Sequence, residues 1–383
     1  MLTKGINFFN FKKKKTNKNI KKNLSIILKE DSQILKSLGK FYKYSFKKKE
    51  IKKFKKNSDY RVIGIGGSSL GTKAIYDFLK YKIKKNFTFI DNLNSSYFKN
   101  KKNYTNLIVS KSGNTLETIV NSNIILKKGD KNIFITENKK SYLYLYAQKL
   151  KADIIHHNNF IGGRFSVLSE VGMLPAELMG LKPDNFKRFN YLVKNKNFVN
   201  NLISNVNSII YFSKKNKFNS IVINYDKNSE SIFKWYQQLV AESLGKKKKG
   251  ILPIVSNMPR DNHSVMQLYL DGFENNFFTF FYVKDQKSNK INNDLILNSQ
   301  KELKNKKISD VSYLQKQATE NVFRNKKIPF RSFEIQERNE KTLGELFSFF
   351  ILETILVAKC LGLNPYDQPA VELIKKETKK LLI

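Results

Sequence analysis

Arg61-Val62-Ile63-Gly64-Ile65-Gly66-Gly67-Ser68-Ser69-Leu70-Gly71 is the stretch from which the fold is read. A short apolar run, Val62–Ile65, breaks into glycines and serines, and a helical pattern then continues through Phe78 and Leu79. A buried strand that turns through small residues into a helix is the first half of a parallel β-α-β unit. The rhythm recurs downstream. Strands are expected at Thr88–Ile90, Leu107–Val109, Ile133–Thr136 and Ile154–Ile155, with helices over Thr115–Leu126 and Ser141–Leu150. It then restarts: helix-like spacing over Phe186–Phe212, strands at Ile221–Asn224, Ile251–Val255, Phe277–Val283 and Phe333–Ile335, and helices over Ser231–Ser243 and His263–Leu270. Asn339 is placed to cap a long helix, Glu340–Leu361, that stops at Gly362.

The expected fold class is therefore α/β, with two tandem domains, each a mainly parallel sheet flanked by helices. Four segments follow: a basic helical N-terminal arm over 1–58, with a helix near residues 30–40 capping the first domain; a first domain over 59–184; a second over 185–361; and a C-terminal segment over 362–383. The lysine-rich stretch 284–310 reads as a surface excursion.

Composition narrows the function. The net charge is +39, but only seven of the 71 basic residues are arginines, the residue suited to bidentate phosphate and guanine contacts. The lysines also run through the whole chain rather than one patch, so specific nucleic-acid binding is not expected. A positive field still favours an anionic substrate. The single cysteine, Cys360, forbids an intrachain disulfide and a cysteine metal cage. His156 and His157 are adjacent and cannot share a helix face, so no metal is expected. No apolar run is long enough to span a bilayer. Met1–Lys29 is basic and free of acids, but it lacks arginine, and its apolar run Leu24–Leu28 is too short for a secretory signal. The expected location is cytoplasmic, with no membrane partner.

Two loops look built for a phosphate. In the first, Gly67 and Ser68 follow a strand and precede a helix, where backbone N–H groups and the helix dipole favour an anion. The loop lacks the GxGxxG spacing of dinucleotide sites and the GK[ST] of nucleotide-binding loops; alone, it reads equally as a tight turn. The second, Ser110-Lys111-Ser112-Gly113-Asn114-Thr115, offers hydroxyls at Ser110, Ser112 and Thr115. Ligands of open α/β sheets bind at the C-terminal strand edges, where both loops fall. Plain helix capping is the alternative for the second loop.

The remaining motifs carry a resemblance. Gly162-Gly163-Arg164-Phe165-Ser166-Val167, Glu242-Ser243-Leu244-Gly245-Lys246, His263 in a His-Ser context 21 residues later, and Asn364-Pro365-Tyr366-Asp367-Gln368-Pro369-Ala370-Val371-Glu372-Leu373-Ile374-Lys375 stand in one order along the chain. Together with the two loops they resemble the sugar isomerase fold family and, within it, the glucose-6-phosphate isomerase (phosphoglucose isomerase) family. The resemblance implies reversible isomerisation of glucose 6-phosphate and fructose 6-phosphate through ring opening and a cis-enediol, in glycolysis and gluconeogenesis. It implies no metal and no organic cofactor. It also implies a homodimer in which His263 reaches the neighbouring subunit's site. Glu242 then matches the base that moves a proton between C2 and C1. His263 and Lys375 match the ring-opening residues, Arg164 the stabiliser of enediolate charge, and Gln368 a ligand contact. Two departures stand out: Pro259-Arg260-Asp261-Asn262 precedes His263 where relatives carry a GxNGQ run, and Asn114 replaces a hydroxyl. Without the resemblance, Glu242 reads as a surface acid, Arg164 as half of a structural ion pair, and Lys375 as one more solvated lysine.

Overall fold

The computed structural model describes residues 1–11, 18–94, 103–127, 129–284 and 287–382. Two five-stranded sheets organise it. The first has the order β3-β2-β4-β5-β6, all parallel, from β2 (Asp59–Ile63), β3 (Asn86–Ile90), β4 (Thr105–Val109), β5 (Lys131–Thr136) and β6 (Asp153–His156). The second has the order β1-β10-β9-β7-β8, from β1 (Ile6–Phe9), β7 (Asn219–Asn224), β8 (Leu252–Asn257), β9 (Asn276–Val283) and β10 (Phe330–Ile335). Here β7–β10 are parallel and β1 is antiparallel to β10.

The strand sequences explain their places. All five residues of β4 and all eight of β9 are buried, because helices cover both faces of a central parallel strand and leave no side for polar alternation. The edge strands β3 and β8 keep exposed positions. The Glu340–Leu361 helix packs on the second sheet, with Phe349 and Phe350 against Phe333 of β10. Asn339 caps it, its Oδ1 accepting from the Thr342 N–H at 2.9 Å, and it ends at Gly362. One apolar cluster joins Val62, Leu107 and Ile133 of the first sheet to Val222, Phe281 and Phe333 of the second through this helix, so the core is continuous across both.

The N-terminal arm departs from expectation. It opens with strand β1, which pairs Ile6 with Ile335 and Phe9 with Ser332 on the second sheet. Its helices are Lys18–Lys29, Gln33–Leu38 and the single turn Lys48–Ile51, and the first packs on the Glu340–Leu361 helix. Ile6 and Phe8 are buried while Asn7 and Phe9 are less so, but alternation over four residues is too short a signal beside so many lysines. Two helices also escaped the sequence reading. Glu170–Leu178 is buried at every position and so shows no polar period, and it carries Pro175. Ile308–Asn325 lies partly within the expected surface excursion. The expected His263–Leu270 helix is instead a 3₁₀ turn, Arg260–His263, followed by the helix Met266–Asp271. Among the described residues no helix is long and apolar enough to cross a membrane.

A buried polar knot ties five elements together: β9, β10 and the Lys196–Lys214, Glu230–Leu244 and Glu340–Leu361 helices. Arg331 on β10 is fully buried and paired with Glu353 of the Glu340–Leu361 helix. Arg331 also donates to Thr279 Oγ1 (2.9 Å) and Asn205 Oδ1 (2.8 Å), and the Tyr236 hydroxyl donates to Glu353 Oε2 (3.0 Å). Each charge in a low-dielectric interior is thereby compensated.

Candidate active site

The two glycine motifs meet. A Cβ on Gly67 would lie 2.1 Å from the Gly163 carbonyl carbon, so only glycine permits this approach of the first loop to the segment carrying Arg164. Ser166 reinforces it, its Oγ donating to Gly163 O at 2.7 Å.

Both loops lead into helices whose first turns are not capped by side chains. Ser69, preceding the Leu70–Phe78 helix, makes no cap bond, and neither does Thr115, preceding the Leu116–Ile125 helix. Ser110 Oγ and Thr115 Oγ1 lie 2.8 Å apart, and Ser112 Oγ accepts from the Asn114 N–H at 3.2 Å. The capping alternative for this loop is therefore not the one the chain adopts. Free N–H groups at two helix starts beside clustered hydroxyls suit an anion. Ser68 is half-buried, Ser110 buried and Ser112 exposed. Asn114 turns away to serve the neighbouring helix, its Oδ1 accepting from the Tyr142 N–H at 3.0 Å. Lys111 sits 3.6 Å from Glu137 Oε1, which tempers its charge at the loop.

His157 is buried beside β5, its backbone N–H donating to Thr136 O at 2.7 Å and its Nδ1 lying 3.0 Å from the Asn158 carbonyl. Burial holds its imidazole down to about 4; Lys111 and His156 add to the depression, and the Asn158 carbonyl and Glu137 oppose it. Because the folded value lies below the ordinary 6.5, the unfolded chain binds the extra proton first. The resulting stability is complete above about pH 6.5 and is lost as pH falls towards 4, by up to about 3 kcal/mol. Thermal midpoints measured across this window should fall more steeply in the parent than in His157→Gln; parallel slopes would contradict the assignment.

Glu242 lies in the last turn of the Glu230–Leu244 helix, with its side chain 28% exposed. Two neighbours orient it. Gln238, one turn earlier on the same face, donates from Nε2 to Glu242 Oε1 at 2.9 Å. Arg164 donates from a terminal nitrogen to Glu242 Oε2 at 3.1 Å. Gln238 also abuts the first loop, its Nε2 lying 2.9 Å from where a Cβ on Gly66 would sit. A single amide thus stands between the carboxylate and the first loop.

Arg164 is buried, and all five of its N–H donors are used. They go to Ser243 Oγ (2.9 Å), Glu242 Oε2, Gln368 Oε1 (2.6 Å), the Pro365 carbonyl and the Asp367 carbonyl (3.0 Å). Burial lowers its pKa and Glu242 opposes the shift. The Trp235 indole N–H donates to the Arg164 carbonyl at 3.0 Å and fixes the backbone. Arg164 is accordingly the clasp that fastens the Asn364–Gln368 segment to the helix end carrying Glu242. The ion-pair reading of this residue holds in this structure; reaching an enediolate requires it to exchange one of these partners. Lys246 provides a second fastening at 2.7 Å from Asp367 Oδ1, and this contact holds the Asp367 carboxyl below its ordinary value.

Glu242 and Gln368 share a cleft of about 760 Å³. His263 and Lys375 do not line it. His263 is exposed on the Arg260–His263 turn beyond β8. Lys375 projects from the Pro369–Leu381 helix, which has no buried residue, and pairs with Glu372 at 2.6 Å. Gln238, Ser243 and Trp235 were not singled out from the sequence. Gln238 was accessible, lying four residues before Glu242; the carbonyl partners of Arg164 carry no side-chain signal.

Parallel sheets with hydroxyl-lined loops at their strand ends place the chain among the α/β proteins whose strand edges receive an anionic ligand. The chain belongs to the phosphoglucose isomerase family, whose model matches residues 12–311. It is 32% identical over 348 residues to the glucose-6-phosphate isomerase of Methanocaldococcus jannaschii, with 85% of each chain covered. It is 33% identical over 354 residues to that of Mycoplasmopsis pulmonis, covering 84% of this chain and 82% of the relative. Among solved structures, a glucose-6-phosphate isomerase from Chlamydia trachomatis superposes with a TM-score of 0.75 at 16% identity, over 99% of this chain and 89% of that one. A hypothetical protein from Thermus thermophilus reaches 0.83 at 20% identity, over 95% and 94%. The structural likenesses speak for the fold, and the sequence relatives carry the family.

Proposed function

We propose that this chain interconverts glucose 6-phosphate and fructose 6-phosphate. The observation that carries the reading is Glu242, partly shielded and held between Arg164 and Gln238, the latter abutting the first phosphate loop at Gly66. The 6-phosphate binds the N–H groups at Gly67 and Ser68 and the hydroxyls of Ser110, Ser112 and Thr115, with Lys111 nearby. The ring opens by proton removal from the anomeric hydroxyl and proton delivery to the ring oxygen. Glu242 takes the proton from C2 of the open aldose as O1 gains one, giving an enediol, and returns it to C1 as O2 gives one up, forming the ketose; the reverse sequence regenerates the aldose. Arg164, exchanging a protein acceptor for a substrate oxygen, offsets the enediolate charge, and Gln368 moves with it. The proton balance closes within the substrate and these side chains, so the steps call for no metal and no organic cofactor.

His263 and Lys375 supply the ring-opening step. His263 stands outside the cleft of its own chain, which supports a homodimer in which it serves the other copy's site. A cytoplasmic setting goes with this reading, as does the lone free cysteine, Cys360. The test supplies fructose 6-phosphate and follows glucose 6-phosphate through a coupled dehydrogenase, with chelator present. Sustained turnover is expected. No turnover from folded, dimeric protein would overturn the proposal and leave a sugar-phosphate binder.

A further inference from the structure

The Glu230–Leu244 helix runs directly into Gly245-Lys246-Lys247-Lys248-Lys249-Gly250. Lys246 and Lys249 close a two-residue turn, each N–H donating to the other's carbonyl at 3.0 and 2.9 Å. The two residues at the tip, Lys247 and Lys248, have φ of +52° and +58°. This is the turn in which Asn-Gly is favoured, because L side chains are strained at positive φ. Such strain persists where a site makes use of it.

The four ammonium groups divide into two roles. Lys246 is anchored to the Asn364 carbonyl and Asp367, and Lys249 to the Leu361 carbonyl at 3.0 Å. Lys247 and Lys248 are exposed and make no hydrogen bond or ion pair with the described residues. All four line the cleft of about 760 Å³ that holds Glu242 and Gln368, and no residue of the Ser110–Thr115 loop does. An anchored pair therefore fixes the turn, and a strained pair offers two charges to the cleft.

Resting on the isomerase reading, position along the substrate follows. With the 6-phosphate at the hydroxyl loops and Glu242 at C1 and C2, substituents on C1 face the lysine side. Fructose 6-phosphate has only a hydroxyl there. We propose that the Lys247–Lys248 turn is a second anion subsite at the C1 end of the cleft, through which hexoses phosphorylated at both C1 and C6 bind and block the enzyme. Such a ligand is not turned over, because its C1 oxygen is esterified and cannot become the aldehyde.

The test uses fructose 1,6-bisphosphate as an inhibitor of fructose 6-phosphate turnover, with the full chain and with Lys247→Asn/Lys248→Gly. That pair supplies the residues the turn favours, so its thermal midpoint should not fall. Competitive inhibition of the parent is expected, with the inhibition constant rising at least tenfold in the variant while kcat/KM for fructose 6-phosphate changes less than twofold. Equal inhibition of both proteins, or none of the parent, would overturn the subsite. Should the parent show no turnover, the isomerase reading fails by itself; calorimetric titration with the bisphosphate then decides the subsite, supported by binding lost in the variant and refuted by equal binding or none.

Discussion

Glu242→Gln should lower fructose 6-phosphate turnover about a thousandfold, equivalent to about 4 kcal/mol on the barrier. The amide keeps the length and planarity of the carboxylate, and its oxygen can still accept from Arg164 or Gln238. What it loses is the capacity to hold the C2 proton. With the side chain only partly buried and Arg164 retaining four other acceptors, the thermal midpoint should move little. The informative readout is kcat at unchanged affinity for the sugar phosphate, since the phosphate loops are untouched. A variant retaining more than about a tenth of parental kcat would assign the proton transfer to another group.

The second large effect is on stability. Glu353→Ala should cost about 3–5 kcal/mol, because it strands the fully buried Arg331 guanidinium among Thr279, Asn205 and Tyr236. Replacing both charges, as Arg331→Met with Glu353→Leu, should recover most of that loss, because the desolvation penalty disappears along with the attraction. Denaturant unfolding of the single and double variants separates the two terms. A single variant costing no more than an exposed pair, about 1 kcal/mol or less, would show that the knot is solvated.

How far the sequence reached differs between fold and site. The strands of both sheets other than β1 were legible because buried parallel strands are unbroken apolar runs, as in Phe277–Val283, and because turns of small residues follow them. The long helix was legible at both ends from Asn339 and Gly362. β1 was not, since four residues cannot carry a period, and its partner lies more than three hundred residues away. At the site, the phosphate loops could be proposed from residue type and order, whereas Glu242 rested on the resemblance. The clasp was not legible: Arg164 is a single letter in the sequence, while three of its five acceptors lie about two hundred residues away and two of those are backbone carbonyls. His263 and Lys375 rest on resemblance, because within one chain they do not line the cleft that Glu242 shares.

The pairing of Ile6–Phe9 with β10 bears on how the molecule is made. On a ribosome, β1 emerges more than three hundred residues ahead of β10 and has no partner until Ser332–Ile335 follow it out. Meanwhile the β10 edge that it will occupy does not exist. Closure of this ladder is therefore among the most non-local events in the molecule, the kind that slows folding and leaves an apolar strand unprotected in the interim. A register that joins strands more than three hundred residues apart makes the second sheet wait on late synthesis: nascent chains arrested before β10 keep an unpaired β1 and leave it open to chaperones and proteases.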